Sequence, residues 1–367
     1  MSIQTANASA IQAPPYSSDA FAYSLPGGFA RALSWGTHSL AADQQTGNAV
    51  IAPDADRTLI VTDVACDLPA DWLALHRAVL LPMKLRFDSR TRTDKGDAEA
   101  AKNFFRRDIN GVGADAQMLP LSASGTRDFI QELLPEQADF VVNVSIASNR
   151  GNAYMNSLTA AQNLMLHHGR ARRQARNTRP FKMWVIDSTT ALNGQAVLVA
   201  ESVRALKAGF SAPRVVQHLD ALRRHVQTIA VPRDASFFRR HSRVEGDAAL
   251  NWLTFGIGKV LNQTPIVHAN VNGVSVTAKV RGADAAITRA LLATTNRVLA
   301  GLLAPFVCAS YAGDVADVRR WPEFAALEDA CIRCGVALLL GTMSMTNALI
   351  IGAEGLALSF ASDTLEI

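Results

Sequence analysis

Two polar residues, Thr62 and Asp63, follow directly on a short apolar run and are the first candidates for chemistry. The run Leu59-Ile60-Val61 is nearly uninterrupted, as expected for a strand that is buried on both faces. In an open α/β sheet the carboxyl ends of parallel strands face the ligand crevice, so both side chains are placed for binding or proton transfer. Asp63 also fits a second interpretation, in which it only caps the helix that follows. The sequence leaves both interpretations open.

An enzyme would need an acid or a base, and Asp63, Asp187 and His241 could act in this way on a small polar substrate. The sequence has no Gly-x-Ser-x-Gly elbow, no glycine-rich phosphate loop with a lysine and no His-Glu-x-x-His helix. Cys331 and Cys334 have the spacing of a metal-ligand pair, but tetrahedral zinc needs a second pair. We therefore expect a binding protein with no metal and no cofactor rather than an enzyme.

Composition narrows the class of protein only broadly. The chain has 367 residues, of which 49% are hydrophobic and 19% are charged, and this length suits two domains. A net charge of +4, with no basic run interleaved with aromatics, gives no indication of nucleic-acid binding. No apolar run has the length of a membrane span, and no signal-peptide pattern precedes Arg31. We expect a cytoplasmic protein that is not integral to a membrane.

The order of the elements predicts an α/β fold with two domains. Residues 1–56, rich in Ala, Ser, Gln, Pro and Gly, predict a disordered extension. Residues 57–226 alternate apolar runs with amphipathic segments, which predicts an N-terminal α/β domain with a parallel sheet. Residues 227–367 contain two β runs joined by Asn272-Gly273, and predict a C-terminal α+β domain with a partly antiparallel sheet.

The individual elements are predicted from hydrophobic periodicity and turn residues. The predicted strands are 59–62, 78–87, 140–146, 183–187, 227–231, 266–270, 274–280, 306–309 and 336–340. The predicted helices are 126–134, 153–168, 193–207, 212–225, 284–302 and 323–333.

Several short signatures follow one another along residues 58–357. They are Val61-Thr62-Asp63 with Asp67-Leu68-Pro69, Leu81-Pro82-Met83, Asp94-Lys95-Gly96, Val185-Ile186-Asp187-Ser188 with Gly194, Phe237 to Val244, Leu261-Asn262 with Pro265-Ile266, Gly273, and Val280-Arg281. In this order they resemble the DegV family of bacterial fatty-acid-binding proteins. Each signature is weak alone, but so many in the right order are hard to produce by chance.

The resemblance implies a two-domain DegV-like fold that holds a long-chain fatty acid between the domains. It implies a carrier that presents the carboxylate of the fatty acid to a separate fatty acid kinase. Burial of each methylene is worth about 0.8 kcal/mol, so an apolar tunnel would supply the affinity. The head group would still need hydrogen bonds, because a buried unpaired carboxylate is costly.

The resemblance places the head group at loops where this sequence departs from the family. In the first loop Ser122 and Ser124 offer hydroxyls, whereas Leu121 replaces a threonine. Ser122 also has the ordinary position of a helix N-cap, so its binding role stays open.

In the second loop Ser148 is retained, Gly151 replaces a serine and Asn152 offers an amide donor in its place. Met343 replaces a histidine, while Arg243 survives. Either the head group differs or the kinase-linked role has been lost or altered. The predicted ligand-binding residues are Thr62, Asp63, Ser122, Ser124, Ser148, Asn152, Arg243 and Met343.

Two further alternatives stay open. The chain could be an interaction or regulatory protein that kept the fold and lost its lipid ligand, and a cleft filled by Leu121 and Met343 would favour this. The basic segment from Arg170 to Arg179 is predicted to be either a solvated helix end or a docking surface for an acidic partner or an anionic lipid surface.

Overall fold

The computed structural model describes residues 54–87, 90–135, 138–174, 179–241 and 263–367. The strands are β1 Thr58–Asp63, β2 Val79–Leu81, β3 Met83–Phe87, β4 Arg90–Asp94, β5 Gln117–Pro120, β6 Phe140–Ser145, β7 Lys182–Asp187, β8 Val226–Val231, β9 Gln263–Asn270, β10 Gly273–Arg281, β11 Phe306–Tyr311, β12 Ala337–Thr342 and β13 Leu356–Ala361. The helices are α1 Asp54–Arg57, α2 Ala70–Leu75, α3 Ala98–Arg107, α4 Ala123–Leu133, α5 Ala153–Gln174, α6 Gln195–Lys207, α7 Ala212–Leu222, α8 Ala235–His241, α9 Ala283–Ala300, α10 Val315–Val318, α11 Pro322–Cys334 and α12 Met345–Ile351. Of the predicted extension, residues 1–56, the part up to residue 53 lies outside the described residues.

The first sheet is parallel and has the strand order β2-β1-β6-β7. β1 pairs with β2 on one side and with β6 on the other, so both of its edges are paired, and helices cover both of its faces. Leu59 packs with α4 and α5 through Ile130 and Leu164. Ile60, on the opposite face, packs with α6 and α7, for example with Leu219. The predicted parallel sheet with helices on both faces is confirmed.

The prediction of one strand over residues 78–87 was wrong. The segment forms β2 in the first sheet and then β3 in a separate antiparallel sheet of order β4-β3-β5. Pro82 lies between them, and proline lacks the N–H that would continue a ladder. β3 alternates strictly, with Leu85 buried inside and Lys84 and Arg86 exposed outside. This small sheet therefore turns an apolar face to the interior and a basic face to solvent.

The remaining strands form one mixed sheet of order β10-β9-β8-β13-β11-β12. β11 and β12 are parallel, whereas the other pairs are antiparallel. The predicted hairpin is present: β9 and β10 are joined at Val271-Asn272, and Gly273 has a φ of +111° that favours glycine. The predicted mixed C-terminal region is confirmed. β13, which completes the centre of this sheet, was not predicted.

Helix α6 lies between the two large sheets. It contacts β1 and β6 of the first sheet and β11 and β13 of the mixed sheet. All its residues from Gln195 to Val203 are buried, as expected for a helix that is covered on every side. The two halves of the chain therefore share one continuous core around α6. For orientation we call residues 54–225 the first lobe and residues 226–367 the second lobe.

The basic segment at the end of α5 is only partly a solvated surface. Arg172 is 6% exposed, donates to the backbone oxygen of Ala138 (2.7 Å) and forms an ion pair with Asp139. Arg57 pairs with the same carboxylate. Burial of Asp139 acts to raise its pKa, yet the hydrogen bonds from Arg57 and Arg172 hold this pKa below its ordinary value. The expectation of a fully solvated helix end is thus wrong for Arg172, because its guanidinium closes the amino-terminal edge of the first sheet.

Candidate functional site

The chain order of the first sheet reverses between β1 and β6, and open α/β sheets bind ligands outside such a point. Asp63 ends β1 and Ser145 ends β6. The backbone N–H of Ile146 donates to Asp63 Oδ2 (2.8 Å), so this carboxylate joins the two strand ends. We call this place the switch point.

The carboxylate of Asp63 is buried and faces N–H donors. Its Oδ1 accepts from the backbone N–H of Ala65 (3.1 Å) and from Gln195 Nε2 (2.7 Å). Gln195 Nε2 also donates to Thr62 Oγ1 (3.2 Å), so α6 holds both predicted residues. Burial raises the pKa of Asp63, while the hydrogen bonds from Ile146, Gln195 and Ala65 lower it. Asp63 is also the N-cap of a short 3₁₀ turn, so its capping role is confirmed, while its binding role stays a prediction.

A small cavity of about 10 Å³ opens beside Asp63 at the switch point. Its polar lining consists of Asp63 and the hydroxyl residues Thr126, Ser145 and Ser157, all of them buried. Its apolar lining consists of Leu81, Pro82, Met83, Pro120, Leu121 and Ala153. The Ser145 hydroxyl has no hydrogen-bond partner among the described residues. The sequence prediction missed Ser145, although it ends an apolar strand in the same way as Asp63 ends β1.

The predicted serines and the asparagine are exposed at the surface and do not line this cavity. Ser122 caps α4: its Oγ accepts from the backbone N–H of Gly125 (3.1 Å) and lies 3.1 Å from Ser124 Oγ. Ser148 donates its backbone N–H to Asp187 Oδ1 (3.1 Å), and its side chain is exposed, as is that of Asn152. The N-cap interpretation of Ser122 is confirmed. Its hydroxyl, like that of Ser124, remains accessible from solvent.

A second cavity of about 120 Å³ lies between the ends of β6 and β7 and the turn between β9 and β10. Ser148, Arg150 and Asp187 line it from the first lobe, and Asn270 and Val274 line it from the second. A cavity of about 150 Å³ holds a molecule the size of benzene. This cavity therefore takes a small polar molecule or several waters, not a long acyl chain.

Two buried carboxylates of the first lobe join it to the start of α12 in the second lobe. Asp67 accepts from the backbone N–H of Ser344 and from Asn347 Nδ2, both at 2.8 Å. Asp94 Oδ2 accepts from the backbone N–H and the hydroxyl of Thr346, both at 2.8 Å. Burial raises the pKa of Asp67 to about 7, against the hydrogen bonds from Asn347 and Ser344. We call these contacts the interlobe seam.

Met343 lies beside the seam and is fully buried. It lines a cavity of about 20 Å³ together with Val64, Leu80 and Asp67. The resemblance placed residue 343 at a head group, but here it belongs to an apolar cluster that fills the space between β3, α3, α8 and α12. Four of the eight methionines are in this cluster or packed against it: Met83, Met118, Met343 and Met345. We call it the methionine-rich cluster.

The remaining candidates for acid or base chemistry are not assembled into a catalytic site. His241 is buried, with Nδ1 2.9 Å from the backbone oxygen of Phe237 and Nε2 3.0 Å from that of Val112. It lies in α8, away from Asp63 and Asp187, which are at strand ends. Arg243 lies outside the described residues. In the part of the chain that the structure describes, no cluster of three or more His, Cys, Asp or Glu side chains could hold a metal ion.

No helix in the described ranges combines the length and apolar character needed to cross a bilayer. The reversal of strand order in the parallel sheet and the apolar cluster packed against a second sheet define a two-lobed α/β fold. A family model described as "Uncharacterised protein, DegV family" matches residues 57–363. The chain belongs to the DegV family, as its signatures predicted.

Relatives and solved structures agree with this assignment. The chain is 30% identical to a DegV domain-containing protein of Xanthomonas axonopodis pv. citri over 83% of this chain and 97% of the relative. It superposes with a TM-score of 0.65 on a DegV lipid binding protein from Thermotoga maritima, at 16% identity over 84% of this chain and 100% of that one. It superposes with a TM-score of 0.62 on the Streptococcus pneumoniae fatty acid kinase B3 protein loaded with linoleic acid, at 14% identity over 83% and 99%. These similarities show the fold.

Proposed function

We propose that this protein binds a long-chain fatty acid or a related lipid, with the acyl chain in the methionine-rich cluster and the head group at the switch point. The observation that carries the proposal is the position of that cluster. It lies between the lobes, it borders the seam cavity and, through Met83, it also borders the switch-point cavity. An acyl chain that entered here would leave one end at the polar strand ends. The bound fatty acids named for the structural neighbours support the same assignment.

The cluster is filled by side chains in this structure, so binding has to displace some of them. Methionine suits this because it is unbranched and flexible and can repack around a guest. Each methylene transferred from water gains about 0.8 kcal/mol, so a chain of about ten buried carbons gains roughly 8 kcal/mol before the cost of repacking. The head-group contacts that we propose are Asp63, Ser122, Ser124, Ser145, Ser148 and Asn152, with Arg243 as predicted from the resemblance.

The proposal is for a carrier and not for a catalyst. Burial raises the pKa of the Cys66 thiol, which disfavours the nucleophilic thiolate. Asp63 is held by three N–H donors and has no histidine beside it among the described residues. Presentation of a carboxylate to a fatty acid kinase, and a location in the cytoplasm, where the four free cysteines would stay reduced, belong to the same proposal.

Lipid retained through purification is the direct test. The full chain is expressed in bacteria, purified without detergent, and examined by native mass spectrometry and by solvent extraction. We expect a mass increment that matches an acyl lipid, and saturable binding when decanoic to octadecanoic acids are added to delipidated protein. Absence of both the co-purified lipid and the added-lipid binding would refute the proposal.

A second function is favoured by one specific observation. Met343 fills part of the space between the lobes and Leu121 lines the small switch-point cavity, which fits an interaction or regulatory protein that has lost its lipid ligand. The same experiment separates the two functions. An interaction protein would carry no lipid, and its thermal midpoint would not rise with any acyl ligand.

A further inference from the structure

The switch-point cavity is rich in hydrogen-bond acceptors and hydroxyls. It contains the Asp63 carboxylate and the hydroxyls of Thr126, Ser145 and Ser157. Of the described residues that line it, none is Lys, Arg or His. A site built for a carboxylate ordinarily offers a cation or several unpaired N–H donors. The described part of the lining therefore offers hydroxyls and an acceptor rather than a cation, and Arg243, a predicted head-group contact, lies outside the described residues.

Unpaired polar groups under the cavity indicate what that head group must do. The Ser145 hydroxyl is 2% exposed, lines the cavity and has no partner among the described residues. Asn143 lies two residues earlier on the same strand face, and its buried amide also has no partner in the part of the chain that the structure describes. Buried polar groups are normally hydrogen-bonded, so these require a partner. A hydroxyl group both donates and accepts, whereas a carboxylate only accepts.

The charge balance at the cavity points the same way. α4 and α5 begin here, and each helix N-terminus carries roughly half a positive charge. The N-terminal end of α4 is already capped by Ser122, and the wall contributes the acidic side chain of Asp63. An incoming carboxylate would face Asp63, and two carboxylates that share a site disfavour each other's ionised forms. An uncharged hydroxyl could instead donate to Asp63, since a carboxylate has about four lone-pair sites and three are occupied.

We propose that the preferred ligand is an acyl or alkyl chain with an uncharged, hydroxyl-bearing head group, and that Asp63 and Ser145 select it over a free fatty acid. The inference rests on the proposed function, because it needs an acyl chain in the methionine-rich cluster. It explains why Leu121, Gly151 and Met343 stand where the resemblance places head-group donors. Asp63 and Ser145 are then the residues that determine specificity.

The test compares two ligands with the same chain, 1-decanoylglycerol and decanoate, on the delipidated full chain at pH 8. Calorimetry or native mass spectrometry gives the two dissociation constants. We expect 1-decanoylglycerol to bind at least about tenfold more tightly, the discrimination of one well-placed polar contact. Equal or tighter binding of decanoate would overturn this inference and leave the proposed function standing. If neither ligand binds, the proposed function fails and the inference fails with it.

Two variants assign the preference to the cavity. Asp63→Asn removes the negative charge, so we expect decanoate to gain affinity and the difference between the ligands to fall below about threefold. Asp128→Asn is the matched control, because it makes the same charge change on the exposed surface of α4 and should leave the difference intact. Ser145→Ala removes only the unpaired hydroxyl and should weaken 1-decanoylglycerol about tenfold, more than it weakens decanoate. If Asp63→Asn does not fold, Ser145→Ala alone tests whether the cavity sets the ligand preference. An unchanged ligand preference in Ser145→Ala would overturn the inference.

Discussion

A single methyl group at Gly341 should break the contact between the lobes. Gly341 lies in β12, next to the interlobe seam, and a Cβ built on it falls 2.0 Å from the backbone oxygen of Asp67. The carbonyl carbons of Asp67 and Leu68 are also within 3.3 Å. These atoms are backbone, so no side-chain rotation relieves the overlap. The two lobes would have to separate locally by about 1 Å or more to restore normal contact.

The cost follows from what holds Asp67 in place. Overpacking against backbone costs about 1–3 kcal/mol. A shift of Asp67 also weakens its bonds to Ser344 and Asn347, and a hydrogen bond is worth about 0.5–1.5 kcal/mol. We expect Gly341→Ala to lower the free energy of unfolding by about 3 kcal/mol. Thermal unfolding and urea titration monitored by circular dichroism would measure it.

Gly111→Ala is the matched control for this prediction. No heavy atom lies within 4 Å of a Cβ built on Gly111, and its φ is not in the left-handed region. Both substitutions reduce the entropy of the unfolded chain in the same way, so their difference isolates the overlap. We expect Gly111→Ala to be neutral or slightly stabilising. If Gly341→Ala lies within about 0.5 kcal/mol of Gly111→Ala, the close approach of β12 to Asp67 is not as described.

Three further predictions follow from buried groups. Burial raises the folded pKa of Asp67 to about 7, above an unfolded value of about 4, so its contribution to stability is present at low pH and is lost as the pH rises from about 4 through 7. The free energy of unfolding relative to Asp67→Asn should fall by about 2.6 kcal/mol between pH 5 and pH 8 in urea titrations, and a pH-independent difference would contradict this. Asp139→Ala removes the carboxylate that pairs with buried Arg172 and should lower the free energy of unfolding by about 3–5 kcal/mol in the same assay at pH 7. Asp128→Ala, in an exposed ion pair, should lower it by less than about 1 kcal/mol, and equal losses would show that the buried pair adds no more stability than an exposed one. Met343→Ala opens a cavity in the methionine-rich cluster and should lower the free energy of unfolding of the ligand-free protein by about 2–5 kcal/mol. Adding 1-decanoylglycerol should then raise its thermal midpoint more than that of the wild type. Exposed Met155→Ala is the control, and an identical ligand-induced rise in both variants would place the acyl chain elsewhere.

Local patterns were sufficient where a segment is buried on a defined face. β1, β6 and β7 were predicted within one or two residues, because a strand inside a parallel sheet is apolar on both faces and stops where it reaches the polar edge. The hairpin at Asn272-Gly273 was predicted because a tight turn needs residues that tolerate positive φ. The failure at residues 78–87 has a specific cause. Both halves of that segment are good strand sequence, and only their different sheet partners separate them.

The sequence predicted only some of the residues that surround the switch point, and the reason is also physical. Asp63 was predicted because it ends an apolar run, and Ser145 could have been predicted by the same signal. Gln195 and Asn347 could not, because each reaches its carboxylate across more than 100 residues of chain. A glutamine at the start of a helix carries no local sign of a buried partner. Arg243, predicted from the resemblance, stays a prediction.

By itself the sequence determined the family, the parallel first sheet and the strand end at Asp63, because each is written in a run of a few neighbouring residues. Only the tertiary structure decided that α6 is shared by both sheets, that Met343 fills the space between the lobes, and that Asp67 and Asp94 hold α12. These depend on which distant surfaces meet, and hydrophobic periodicity records that a face is buried without recording what buries it. The character of the switch-point cavity is of this second kind. Its hydroxyls come from the consecutive elements α4, β6 and α5, and only the fold brings them together with Asp63 at the end of β1.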